Sequence, residues 1–340
     1  MSARLRLAAT GVATMLLLTA CSGGAGDDAA TGDATAGSTG TFEPVTIEHA
    51  FGSTEITERP QDVVTLGWGS TEAAIALGIV PVGIESQTYA ADEDGRLPWV
   101  AEALVEVDAD PTMIPASVEE PAYEEIGELG PDLILAPYSG ITAEQYELLS
   151  AIAPTVAFPE EPWTTPWREV ITTVGTALGV ADDAEALVTD IDAQISEAAE
   201  AHPELDGKTV AAVWDVGGTF WVYKPQDSRV DFLLDLGLES APAVEELATD
   251  EESFLYSLSY EETDRLASDI VVNYASIQDE VDAFLGQSYA QALPAVGAGA
   301  VAHIVGDELI AAMSPPTALS VGWGLEEYVD LISEAAAAAQ

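Results

Sequence analysis

Short apolar runs separated by helix-length stretches recur along most of this chain, and that rhythm restricts the fold more than any other feature. Residues 63–66, 82–84, 133–136 and 155–158 read as buried strands, with helical stretches at 70–78, 121–129 and 142–151 between them. Continuous apolar strands alternating with helices specify a mainly parallel sheet covered on its faces. Ahead of this series, 45–50 and 54–57 read as a hairpin around Gly52. A second series follows. Residues 209–214, 270–273 and 301–305 read as strands and 220–223 as a further one, with helices near 228–236, 259–266, 278–285 and 320–335. The expected fold class is α/β, with two Rossmann-like lobes.

A helix lies between the two series. Asp182 is the expected N-cap, with Glu185 three residues on. Leu187, Ile191, Ile195 and Ala198 mark one apolar stripe, and His202-Pro203 ends it. About 20 residues of helix reach roughly 30 Å, enough to run between two lobes. An earlier helix starts at Thr165-Pro166 and stops near Gly179.

At the N-terminus, Arg4 and Arg6 precede an apolar run from 7 to 18, then Thr19, Ala20 and the only cysteine, Cys21. Charge, apolar core and small residues before a cut site are the layout of an export signal. The run is short for a membrane span. The lone Cys after a small pair resembles a bacterial lipobox, which implies cleavage before Cys21 and a lipid on its thiol. The alternative is a buried helix with an incidental free thiol. Residues 22–41 are small and polar and read as a tether. The expected organisation is a signal peptide (1–20), a tether (21–42), an N-terminal lobe (43–181), a bridging helix (182–203) and a C-terminal lobe (204–340).

The chain has 340 residues, 48% of them hydrophobic, ample for a large core. One cysteine allows no internal disulfide. The formal net charge is -51, with 60 acidic residues against nine basic ones. That excludes nucleic acid as a partner, because phosphate binding needs clustered Lys and Arg. Most carboxylates read as a solvated surface. Cations are so scarce that any Arg in a cleft is a candidate for a specific task.

Two segments echo each other. Residues 124–134 run Glu-Glu-Ile-Gly-Glu-Leu-Gly-Pro-Asp-Leu-Ile, and residues 261–271 run Glu-Glu-Thr-Asp-Arg-Leu-Ala-Ser-Asp-Ile-Val. Each reads as a short helix opening with two carboxylates, then Asp at the turn into a buried strand. Acidic residues at a helix start are favoured by its dipole, so one pair alone means little. Their recurrence suggests two related halves facing a common cleft.

At this point the chain resembles the substrate-binding lipoproteins of ABC importers for ferric siderophores and cobalamin, over about residues 45–335. The resemblance rests on residues 63–74 (Val-Val-Thr-Leu-Gly-Trp-Gly-Ser-Thr-Glu-Ala-Ala), Leu77-Gly78, Pro81-Val82-Gly83, 129–135, 148–155 and 234–238. It implies two lobes joined by one long α-helix, ligand in the cleft between them, and one Glu on each lobe docking onto Arg pockets of a membrane permease. Glu124 and Glu261 fall on those positions, with Glu125 and Glu262 as alternatives one residue away.

Ligands of open α/β sheets bind beyond the carboxyl ends of the strands. That rule selects loops 67–70, 85–89, 137–140, 159–167, 214–218, 274–277 and 306–320. Trp68, Tyr89, Tyr138, Trp163, Trp214 and Tyr274 in these loops are the candidate ligand-binding aromatics, with Trp167 and Trp323 less favoured. For each, core packing is the alternative. Arg229 is the preferred cation ahead of Arg168 and Arg96, since guanidinium suits the anionic oxygens around ferric iron; a surface ion pair is its alternative. His49, His202 and His303 form no paired metal motif. No protein metal site and no cofactor is expected; iron arrives within its chelator.

The expected function is that of a lipid-anchored, extracytoplasmic capture protein, a monomer that delivers a ferric siderophore to an ABC permease and its ATPase. The acidity favours a neutral or cationic hydroxamate complex over a trianionic catecholate. Alternatives are cobalamin, haem or another metal chelate as cargo, and sensing without transport. An α/β enzyme is disfavoured. There is no Gly-x-Ser-x-Gly elbow and no phosphate loop, and a strand follows Gly297-Ala298-Gly299 where a dinucleotide fingerprint needs a helix.

Overall fold

A computed structural model describes residues 42–116, 120–248 and 254–339. The leader, Cys21 and all but the last residue of the tether lie outside the described residues. The chain begins with an antiparallel hairpin of β1 (Val45–His49) and β2 (Gly52–Ile56). Strands β3 (Val63–Thr65), β4 (Gly83–Glu85), β5 (Thr112–Ile114), β6 (Leu133–Leu135) and β7 (Thr155–Val156) form a parallel sheet in the order β5-β4-β3-β6-β7. Every residue of β3 and β6 is buried, which accounts for their largely apolar runs; the one polar residue, Thr65, bonds the Thr71 hydroxyl at 2.8 Å.

The second sheet contains β8 (Thr209–Val216), β9 (Thr219–Tyr223), β10 (Glu239–Ser240), β11 (Leu255–Leu258), β12 (Ile270–Ala275) and β13 (Val301–Val305). Its order is β11-β9-β8-β12-β13, with β10 beside the start of β8. Strand β9 runs antiparallel to both β8 and β11, and the other pairings are parallel. The echo has a structural counterpart, because β6 lies next to β3 and β12 lies next to β8.

The second echo is not a helix over 259–266. It is a turn followed by one 3-10 turn, Thr263–Arg265, whereas the first forms the α-helix Tyr123–Leu129. Tertiary bonds account for the difference. The Thr263 hydroxyl donates to the carbonyls of Tyr260 (3.3 Å) and Tyr289 (2.8 Å), and the Tyr260 hydroxyl donates to Asp215 at 2.7 Å. Tied at both ends, the segment closes as a tight turn.

Between the sheets runs the helix Ala181–Ala201. Asp182 does not cap it. The preceding helix Trp167–Leu178 ends at Gly179 in the left-handed region, and Val180 takes the N-cap place without a side-chain bond. The two helices meet closely at Gly175, where an added Cβ would lie 2.3 Å from that of Ala184. Ala184, Ile191 and Ile195 are buried along the stripe, while Leu187 and Ala198 are half-buried.

The halves also touch directly. Arg168 donates to Asp192 (2.8 Å) on the connecting helix and to Asp235 (2.8 Å) on the second-half helix Ser228–Asp235. The rings of Trp99 and Trp323 lie 5.5 Å apart, and Trp68 Nε1 donates to the Pro315 carbonyl at 3.3 Å. Fully buried Glu72 accepts from Trp99 Nε1 at 3.0 Å and hydrogen-bonds Thr317. One apolar core accordingly spans both halves, from Ile56 to Ala336, flanked by a smaller cluster against each sheet. No helix among the described residues is long and apolar enough to cross a membrane.

Candidate functional site

The carboxyl ends of β3, β4 and β6 converge at Gly67, which has φ 75°. An added Cβ there would lie 2.2 Å from the Tyr138 carbonyl oxygen, so only glycine fits. Trp68 N donates to that carbonyl at 3.0 Å, Gly67 N donates to Glu85 at 2.7 Å, and Gln87 Nε2 donates to the Gly67 carbonyl at 3.3 Å. These bonds fix three loops against one another.

Trp163 stands over this junction, 52% exposed and at φ 61°, a conformation uncommon for a bulky side chain. Its amide donates to the Ser139 carbonyl at 3.2 Å, and its ring fills the space a Gly140 side chain would take. It meets Tyr138 edge-on with centroids 5.7 Å apart. Tyr138 is half-buried and faces the second half. Its pKa is pushed up to about 12, by burial first and then by Asp227, with Arg229 opposing.

On the second half, Arg229 opens the helix Ser228–Asp235. Its guanidinium lies 4.2 Å from the centroid of the Tyr223 ring, and its Nε lies 3.3 Å from Asp227. Asp227 also caps the helix, accepting from Arg229 N at 2.9 Å. Burial works against the Arg229 charge, but Asp227, Tyr223 and Tyr274 outweigh it and hold its pKa up. Tyr89, 38% exposed, reaches over from the first half to hydrogen-bond Asp307 and senses the Arg229 charge. Burial is the main cause of its raised pKa, with Asp307 next.

The structure therefore brings together Tyr89, Tyr138, Trp163 and Arg229 across a seam between the halves. Trp214 is half-buried with a buried, unpartnered Nε1, and its ring lies 6.1 Å from Tyr274. Trp68 lies half-buried at the foot of the seam, bonded to Pro315. Tyr274 is not a wall residue. It is 2% exposed, and its hydroxyl pairs with that of Tyr328 at 3.1 Å, so it backs Arg229 from the core. Trp167 and Trp323 are contact residues, one stacked by the Arg168 guanidinium and the other against Trp99. Arg96 is paired with Asp110 at 2.6 Å, and Arg168 joins the halves, which leaves Arg229, of these three candidate arginines, at the seam.

Sequence reasoning missed Tyr223 and Asp227, and it did not single out Glu85 and Asp307 within the selected loops 85–89 and 306–320. The signal for Asp227 was present as an N-cap Asp two residues before Arg229; the others depend on tertiary placement. Beside the seam, beyond the ends of β3, β4, β5 and β6, lies a recess of about 260 Å³ whose rim includes Gly67, Glu85, Ala116, Ser139 and Trp163. His303 is held neutral by burial, with Nδ1 3.1 Å from Asn273 Nδ2. Glu124 is exposed in the first turn of Tyr123–Leu129, and Glu261 is exposed in the turn ahead of Thr263–Arg265. Glu262 is paired with Arg265.

Comparison with known proteins agrees with this architecture. A family model described as periplasmic binding protein matches residues 63–308. The chain is 31% identical over 192 residues to the probable siderophore-binding lipoprotein YfiY of Bacillus subtilis, covering 56% of this chain and 55% of that protein. It is 27% identical over 215 residues to the ferric-anguibactin-binding protein FatB of Vibrio anguillarum, covering 60% and 61%. The match thus spans under two thirds of the length of these curated relatives. Among solved structures, PiaA of Streptococcus pneumoniae in complex with ferrichrome superposes with a TM-score of 0.78 at 34% identity, over 87% of this chain and 99% of that one. With the family match covering most of the chain and the two-sheet architecture in place, the chain belongs to the periplasmic binding protein family.

Proposed function

We propose that this protein captures a ferric siderophore in the seam between its halves and hands it to an ABC importer. The observation that carries the reading is Arg229, a mostly buried cation facing Tyr89 and Tyr138 across the seam, with Tyr223 beneath it. Guanidinium is a multiple donor for the anionic oxygens around ferric iron, and Tyr and Trp give broad contact with one polar handle. The relatives named above bind siderophores by name, which supports the same cargo class here.

Charge narrows the cargo. Asp227 sits against the single seam arginine, Asp307 against Tyr89 and Glu85 on the neighbouring recess, so a trianionic catecholate meets repulsion that a neutral or cationic ferric hydroxamate avoids. In this reading the protein binds without catalysis, Cys21 carries the lipid that holds it on the outer face of the cell membrane, and Glu124 and Glu261 dock onto the permease. Tryptophan quenching tests the cargo, with a panel of ferrichrome, a ferric tris-catecholate, ferric citrate, haem and cobalamin. Quenching by ferrichrome at micromolar levels or below is the expected result. Silence from every ferric complex would overturn the reading.

A further inference from the structure

The recess beside the seam has a chemistry of its own. Glu85 is the charged residue on its wall among the described residues, and no Lys, Arg or His borders it. The polar groups nearby are already engaged. Ser86 Oγ accepts from the Ala116 amide at 2.9 Å, Ser139 Oγ donates to the Ala136 carbonyl at 2.9 Å, and Gln87 Nε2 bonds the Gly67 carbonyl. Arg96, the basic residue in the following loop, is turned to Asp110. Glu85 itself accepts from the Gly67 amide, which only partly offsets the burial that disfavours its charge. A carboxylate half-buried in a pocket without a cation gains from any positive group that enters.

The recess adjoins the cargo seam at Trp163. Trp163 forms part of its wall and meets Tyr138, which faces Arg229. A ligand whose iron-binding oxygens lie at Arg229 can therefore extend a substituent past Trp163 into the recess. We propose that the recess receives a cationic, amine-bearing arm of the ferric chelate, with the Glu85 carboxylate as its counter-ion. This rests on the seam being a ferric-chelate site. It makes Glu85 a specificity residue and sorts ferric hydroxamates of identical iron centre by their appended charge.

Ferrioxamine B, whose neutral ferric trihydroxamate carries one terminal ammonium, and its N-acetyl derivative test the assignment by calorimetric titration. The wild-type protein is expected to favour the ammonium form by roughly tenfold, the scale of one partly desolvated charge pair. Glu85→Gln keeps an oxygen acceptor for the Gly67 amide and is expected to bind the two complexes within about twofold of each other. The wild-type preference should survive at about 0.5 M salt, where attraction to the acidic surface is screened. A wild-type ratio near one, a ratio that vanishes in salt, or a ratio that Glu85→Gln retains each overturns the assignment. If Glu85→Gln does not fold, the wild-type ratio and its salt response decide alone. Binding of both complexes without preference sinks only this inference; binding of neither sinks the ferric-hydroxamate reading with it.

Discussion

Asp132 and Asp269 hold the same joint in two different sheets. Asp132 accepts from the amides of Gln61 and Asp62 just ahead of β3, and Asp269 accepts from the amide and hydroxyl of Thr209 at the start of β8. Each Asp precedes the strand that pairs with the one it holds. Truncation hands exposed backbone donors at a strand start to water. Asp132→Ala and Asp269→Ala should each cost about 0.5–1.5 kcal/mol in urea unfolding. If only one of them is costly, the two joints are not equivalent.

Arg168 links three helices through Asp192 and Asp235, and its side chain is about a third exposed (32%). Solvent screening limits such pairs, so Arg168→Ala should lower stability by roughly 1–2 kcal/mol. With the shared core and this clamp intact, ligand should leave the scattering radius of the wild-type protein almost unchanged. A large compaction on binding would show that the halves are hinged.

Glu72 gives the fold a pH dependence of known sign. Burial raises its carboxyl pKa, opposed by bonds from Trp99 and Thr317. A folded pKa above the unfolded one means that this group favours the native state most below the unfolded value. That advantage fades as pH rises through the folded pKa. Glu72→Gln stays neutral and can still accept from Trp99. Its melting temperature should rise relative to wild type between acidic and mildly basic pH, and parallel curves would contradict this account of Glu72.

Docking should separate from capture. Glu124 and Glu261 are exposed, and neither lies in a loop assigned to the seam. Replacing both with Ala is expected to leave ferrichrome affinity intact while abolishing iron uptake in cells. Loss of affinity in the purified double variant would move these residues into the ligand site.

The periodic parts of this fold were legible in the sequence, and the reasons are local. Strands β3, β6 and β12 are buried throughout, so each reads as a mostly apolar run, broken only by Thr65 in β3 and Asn273 in β12. Gly179 announces the end of its helix because the left-handed region favours glycine. What escaped depends on distant contacts. The helix Pro98–Glu106 follows a turn-rich loop, and β5, β10 and β11 are only two to four residues long. Segment 259–266 carries a helical pattern but is drawn into a turn by Asp215 and Tyr289. At the site, loop positions beyond strand ends picked out Tyr89, Tyr138 and Trp163, and the scarcity of cations picked out Arg229. The same rule could not tell that Tyr274, at the end of β12, points into the core toward Tyr328.

The most direct test is a crystal structure of the protein soaked with ferrichrome. The account predicts iron-chelate density in the seam, with iron-bound oxygens against the Arg229 guanidinium and the ligand bordered by Tyr89, Tyr138 and Trp163. Chelate bound elsewhere, or an Arg229 that keeps only Asp227 and Tyr223 for company while ligand is present, would contradict it.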